Sequence, residues 1–274
     1  MIDHQALTAA RTFLFVPGNR PERFDRSAQS GADVVIVDLE DAVAPEDKDG
    51  ARRAISEWFA RGGQAVIRVN AIGTPWHAAD VDLATEMSAP VMLAKATDGA
   101  QIADVADRTR AGIIPLVETA AGILAADDIA RQARVARLAL GHIDLAAETG
   151  VRPDDREAIL FARSKLVYAC AAAGVAGPID GVTTALRDPA VLVDDVNYAA
   201  RLGMRAKLCI HPSQVAHVHE CLMPTDEEIR WARRIIATVG TGGSAIAVEG
   251  HMVDAPVVAR AHRILHAGAV EPSA

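Results

Sequence analysis

The feature that most constrains this chain is a repeated short apolar run that breaks off at a charged or polar residue. Val34-Val35-Ile36-Val37 stops at Asp38, Val66-Ile67 at Arg68, Val91-Met92-Leu93-Ala94 at Lys95, and Ile113-Ile114-Pro115-Leu116-Val117 at Glu118. Leu138-Ala139-Leu140 ends just before Asp144. Runs that are apolar at every position, separated by helix-forming sequence, read as parallel strands covered on both faces. Their polar endings then gather at the C-terminal edge of the sheet, where parallel α/β folds build their sites.

In chain order the strand candidates are Thr12–Val16, Asp33–Val37, Ala65–Val69, Pro90–Ala94, Ile113–Val117, Ala136–Leu140, a weaker Gly177–Ile179, and Ala206–Ile210. Pro21–Ser30, Pro45–Arg61 and Asp154–Ala173 read as helices opened by proline or by acids. Eight strands alternating with helices predict an α/β protein of TIM (β/α)8 barrel type, with an open doubly wound sheet as the alternative. At 50% hydrophobic and only 4% aromatic, the 274 residues can supply a large core of small aliphatic side chains. A glycine-rich joint at Thr238–Ser244 divides an expected barrel domain, 1–240, from a C-terminal helical extension, 241–274, expected to pack on the barrel or on a neighbouring subunit.

A net charge of −8 argues against nucleic-acid or anionic-membrane partners, which need a basic face. No run is apolar for the roughly 18–20 residues of a membrane span. Cys170, Cys209 and Cys221 have neither disulfide-framework nor zinc spacing. A cytoplasmic protein is the expectation.

Glu118 and Asp144 each follow a strand, and together they would form a hard oxygen site suited to Mg²⁺. Either alone reads first as a helix cap or dipole partner, and it is the two in sequence that bring the metal reading level with it. Arg68 points to the same mouth and can grip a carboxylate with two parallel hydrogen bonds, or pair structurally with Asp38 or Glu40, or both. Asp38, Glu40 and Asp41 crowd one strand end and need a nearby cation, so they read as groups that orient the site. Arg20 and Arg23, in a turn entering a helix, suggest an anion site. Lys95 is open to two readings, a Schiff-base lysine and an ion-paired one. His217, His219, Glu220 and Cys221 carry ligand-type side chains, but on different sides of a helix.

Several stretches together resemble a known family: Phe13-Leu14-Phe15-Val16-Pro17-Gly18, Arg20-Pro21-Glu22-Arg23-Phe24, Val37-Asp38-Leu39-Glu40-Asp41-Ala42-Val43, Arg68-Val69-Asn70, Val117-Glu118-Thr119, Lys207-Leu208-Cys209-Ile210-His211-Pro212-Ser213-Gln214 and Met252-Val253-Asp254-Ala255-Pro256. They are similar, in this order from about residue 11 to 266, to citrate lyase β-subunit-like proteins of the HpcH/HpaI aldolase group. The resemblance implies a TIM barrel assembled as a homotrimer or hexamer, Mg²⁺ on Glu118 and Asp144, and Arg68 on the carboxylate of a 2-oxo acid. It also implies an acyl-CoA thioester across the mouth and Asp254 as an acid/base group reaching a neighbouring subunit's site. The activity implied is Mg²⁺-dependent cleavage of a 3-hydroxy-3-carboxyacyl-CoA, such as (3S)-citramalyl-CoA or malyl-CoA, to acetyl-CoA and pyruvate or glyoxylate. The alternatives are a citrate lyase β subunit acting on an acyl-carrier-bound citryl thioester, and a non-catalytic CoA-ester-binding protein. One departure stands out: Ile143 precedes Asp144 where many relatives carry glutamate.

Overall fold

The computed structural model describes residues 2–239, 246–248 and 251–269. Eight parallel strands close into a barrel in sequence order: β1 (Thr12–Pro17), β2 (Val34–Asp38), β3 (Val66–Val69), β4 (Val91–Leu93), β5 (Ile113–Val117), β6 (Ala139–Leu140), β7 (Ile179–Asp180) and β8 (Ala206–Cys209). The doubly wound alternative is excluded, because β8 pairs with β1 and leaves no edge.

The period of two in each strand sorts the core into two layers. Phe13, Ile36, Val66, Met92, Ile114, Leu116 and Leu208 fill the barrel interior. Val35, Val37, Ile67, Val91, Val117 and Leu140 face outward onto a second cluster with Ile55, Trp58, Ile102, Ile129 and Leu166. The latter come from the surrounding helices α3 (Lys48–Ala60), α5 (Gly99–Arg108), α7 (Ala126–Ala130) and α9 (Arg156–Ala173). Continuing the inward series past the last apolar position brings Asp38, Arg68 and Glu118 to the mouth.

The opposite end is closed by the first helix (His4–Ala9), whose Leu7 joins the interior cluster. Arg137, 1% exposed, donates to the carbonyls of Leu7, Ala10 and Gly177 and binds the helix to the barrel floor. Among the described residues no carboxylate forms an ion pair with it, and burial lowers its pKa to about 10.

The chain divides into two units between Cys221 and Leu222, earlier than the residue-240 boundary expected. The helix Asp226–Val239 belongs with the second unit because its Ala232 and Ile235 pack with Val253 and with Ala261 of the helix Ala255–Ala269. That unit also holds an antiparallel strand pair, Ile246–Val248 with His251–Val253. Most of the expected glycine-rich joint, residues 240–244, lies outside the described residues. Among the described residues no helix is long and apolar enough to cross a membrane.

Candidate active site

Parallel pairing sets Asp38 directly across from Arg68. The Arg68 guanidinium donates from Nε to Asp38 Oδ1 and from Nη2 to Oδ2, both at 2.6 Å, and lies 4.9 Å from the Phe15 ring centroid. Its Nη1 stands 2.9 Å from Glu40 Oε2. Asp38 is itself fixed by the backbone N–H groups of Glu40 and Ala42. Burial opposes the Arg68 charge, but Asp38 and Glu40 outweigh it and keep the group firmly protonated. Of the two sequence readings of Arg68, the ion pair with Asp38 and Glu40 is the one the geometry shows, and the residue also lines the mouth.

Glu40 is held from its other side by Lys95, whose Nζ donates to Oε1 at 2.7 Å. Asp41, also near Lys95, is exposed. Burial raises the Glu40 pKa despite the pull of both cations. Lys95 has a raised pKa, its carboxylate neighbours more than offsetting burial, which opposes the neutral amine a Schiff base needs. Its backbone is left-handed, φ 51°, so the alternation of β4 breaks at this point. In that conformation the Lys95 N–H donates to Glu118 Oε1 at 2.8 Å.

Glu118 is 2% exposed at the end of β5. Burial, then the charge of Glu40, and further down the charge of Asp144, push its pKa up to about 8 against the pull of Arg68. Asp144 lies in the first turn of the helix His142–Thr149 and is half-buried. Gly141 makes room for this arrangement, since a Cβ there would lie 2.5 Å from Glu118 Cβ and closer still to Oε2. Its role is thus space for a neighbouring side chain.

Asp38, Arg68, Glu118, His142 and Asp144 share the walls of one cavity of about 280 Å³, whose remaining surface is largely apolar. His142 was not singled out by sequence. It is 6% exposed, and burial lowers its pKa to about 4, so the ring is neutral at pH 7. Gly181, just past β7, leaves space for it: a Cβ at that position would lie 2.8 Å from His142 Cε1 and 3.0 Å from the Leu140 carbonyl. Behind it, buried Asp180 accepts from Arg163 Nε at 2.8 Å and Lys207 Nζ at 2.7 Å.

The other expected residues lie elsewhere. Arg20 is exposed, pairs with Glu22 at 2.7 Å, and is not among the residues lining this cavity. Asp254 lies in the second unit, exposed, and accepts from the Val257 N–H near the start of the terminal helix. His219 turns inward to Thr12 and Gly31 while His217 stands near Glu220, so this group has no common focus. Among the described residues no group of three or more His, Cys, Asp or Glu is placed to hold a metal. A cation at Glu118 and Asp144 would take two protein carboxylates, the arrangement Mg²⁺ favours when water and substrate complete its shell. A buried carboxylate with a raised pKa, one hydrogen bond and an acidic neighbour fits that role.

The chain is 38% identical over 260 residues to a citrate lyase subunit beta-like protein of Mycobacterium tuberculosis, covering 92% of this chain and 93% of that one. It is 31% identical to the L-malyl-CoA/beta-methylmalyl-CoA lyase of Rhodobacter capsulatus, covering 93% of each. The crystal structure of CitE from M. tuberculosis in complex with magnesium, acetoacetate and coenzyme A superposes with a TM-score of 0.82 at 36% identity, over 96% of this chain and 99% of that one. The family model for HpcH/HpaI aldolase/citrate lyase matches residues 11–212, which span the barrel strands and the site just described, and the chain belongs to that family.

Proposed function

We propose that this protein is a Mg²⁺-dependent carbon–carbon lyase that splits a 3-hydroxy-3-carboxyacyl thioester into a 2-oxo acid and an acyl thioester. The observation that carries this reading is the pairing of two carboxylates, Glu118 and Asp144, with the fixed guanidinium of Arg68 around one largely apolar cavity. Bound Mg²⁺ would supply Lewis acidity toward the substrate's hydroxyl and carboxylate oxygens.

Arg68 cannot swing freely, because Asp38 holds two of its nitrogens and Phe15 underlies it. It presents a preset positive charge to the carboxylate of the cleaved half, which orients that half without rearrangement. Passage of the hydroxyl proton to water lets the hydroxyl become the carbonyl of the 2-oxo acid as the adjacent carbon–carbon bond breaks. Its electron pair passes to the carbon next to the thioester, and the resulting enolate takes up a proton. Asp254, brought by the terminal unit of a neighbouring copy in an assembly of three or six, is the residue assigned to that proton.

The relatives' names weigh toward a citryl thioester, cleaved to oxaloacetate and an acetyl thioester on an acyl carrier or coenzyme A. The malyl-CoA lyase among them supports (3S)-citramalyl-CoA or malyl-CoA as the alternative. Purified protein with Mg²⁺ is to be offered citryl-, citramalyl- and malyl-CoA, with release of the 2-oxo acid followed as its hydrazone. Cleavage of at least one, abolished by EDTA and restored by Mg²⁺, is expected. Turnover of none, with or without an acyl-carrier partner, would leave only a CoA-ester-binding role.

A further inference from the structure

Three histidines in the barrel unit, His77, His142 and His219, carry a buried ring nitrogen with no hydrogen-bond partner. Two of them are anchored through the other nitrogen. His77 Nδ1 lies 2.7 Å from the Asn70 carbonyl, and His219 Nε2 lies 3.2 Å from Thr12 Oγ1. His142 differs, since its Nδ1 is sealed against Gly181 without a partner and its Nε2 bonds to nothing in the described chain. The nearest buried carboxylate, Asp180, is already taken by Arg163 and Lys207.

A buried polar ring without a bond costs stability that a leucine of similar volume would not. Nδ1 keeps that cost whatever binds, whereas Nε2 is not among the sealed atoms and is the ring nitrogen left open to a partner from outside the chain. Only the cavity can admit one, because the ring lines it and Nδ1 is closed off. The backbone makes the same provision here as for Glu118. At each of two successive strand ends a glycine gives up the volume of a Cβ to a side chain of the site, Gly141 to Glu118 and Gly181 to His142.

We propose that His142 is a substrate-binding residue whose Nε2–H donates a hydrogen bond to an oxygen of the 2-oxo acid half. This rests on the lyase reading above. It assigns a second donor to the cavity in addition to Arg68, so the acid is gripped from two walls, β3 and β6.

Titration calorimetry with oxaloacetate, pyruvate and glyoxylate in saturating Mg²⁺ tests it, using wild type, His142→Leu, Gly181→Ala and the double variant. Wild type is expected to bind at least one acid. His142→Leu should bind that acid about tenfold more weakly, the weight of one hydrogen bond. Gly181→Ala should weaken it similarly by displacing the ring, and the double variant should be no weaker than the worse single one. Mg²⁺ affinity without the acid should stay at the wild-type value in His142→Leu, and its melting temperature should not fall. Wild-type affinity for the acid in His142→Leu would overturn the assignment while leaving the lyase reading intact. Failure of wild type to bind any of the acids would overturn both.

Discussion

Replacing Gly141 by alanine tests how the metal site is seated. Gly141 has φ −103°, so alanine fits the backbone, and the reduced freedom of the unfolded chain favours the variant by about 0.4–1 kcal/mol. The cost comes from contact: the new methyl would lie 2.5 Å from Glu118 Cβ, where carbon atoms prefer roughly 3.5–4.0 Å. At least about 1 Å of displacement is needed. Glu118 Cβ is held by the fully buried Val117 before it, and the carboxylate by the Lys95 N–H, so the side chain must leave its present position. Overpacking of this kind costs about 1–3 kcal/mol, which leaves the variant less stable by at most about 2.6 kcal/mol and still folded. Mg²⁺ tolerates ligand errors of only about 0.2 Å, so its affinity should fall by about a hundredfold or more. Calorimetric titration with Mg²⁺ beside thermal melting separates the two effects, with Gly181→Ala as the control expected to keep Mg²⁺ affinity. A Gly141→Ala protein that binds Mg²⁺ within about threefold of wild type would refute the seating argument, since about 0.7 kcal/mol is too little for a displaced ligand.

Asp254→Asn should abolish turnover and leave binding of the 2-oxo acid near the wild-type value; unaltered turnover would remove Asp254 from the mechanism. For Asp180, burial favours the neutral acid, but Lys207 and Arg163 prevail and hold its pKa at about 2, below the ordinary 3.8. The stabilisation, about 2 kcal/mol, is therefore complete above pH 3.8 and is lost as pH falls through 2. Urea unfolding midpoints between pH 5 and 2 should show that loss, and Asp180→Asn should flatten it. Arg137→Met leaves the carbonyls of Leu7, Ala10 and Gly177 without their donor and should cost about 3 kcal/mol, read as a lower urea midpoint with unchanged Mg²⁺ affinity.

The barrel was legible because fully buried parallel strands leave continuous apolar runs, and the first residue past each run names its own place at the mouth. Asp38, Arg68 and Glu118 follow directly from that rule. The short strands β6 and β7 were harder to delimit: each pairs over only two residues, so Ala136–Leu140 and Gly177–Ile179 mark the neighbourhood rather than the ladder. Lys95 sits in the same pattern as its neighbours, yet its left-handed backbone turns its amide to Glu118, which no periodicity reveals. The division at Leu222 depends on which helix the amphipathic Asp226–Val239 packs against, a long-range contact absent from local composition. His142 escaped notice because its meaning lies in Gly181, 39 positions later and one strand away.

The vacated Cβ positions at 141 and 181 carry a consequence for how such a chain drifts through sequence space. Each glycine and the side chain it admits form a two-residue unit spread over adjoining strands, so neither member can be exchanged independently. A descendant that acquires any larger residue at 181 must shrink the one at 142, and would thereby trade a hydrogen-bonding wall for a plain one. Position 141 has no such exit while position 118 keeps its glutamate. Among divergent relatives, residues 142 and 181 should therefore covary in size, whereas 118 and 141 should remain locked together wherever the glutamate is kept.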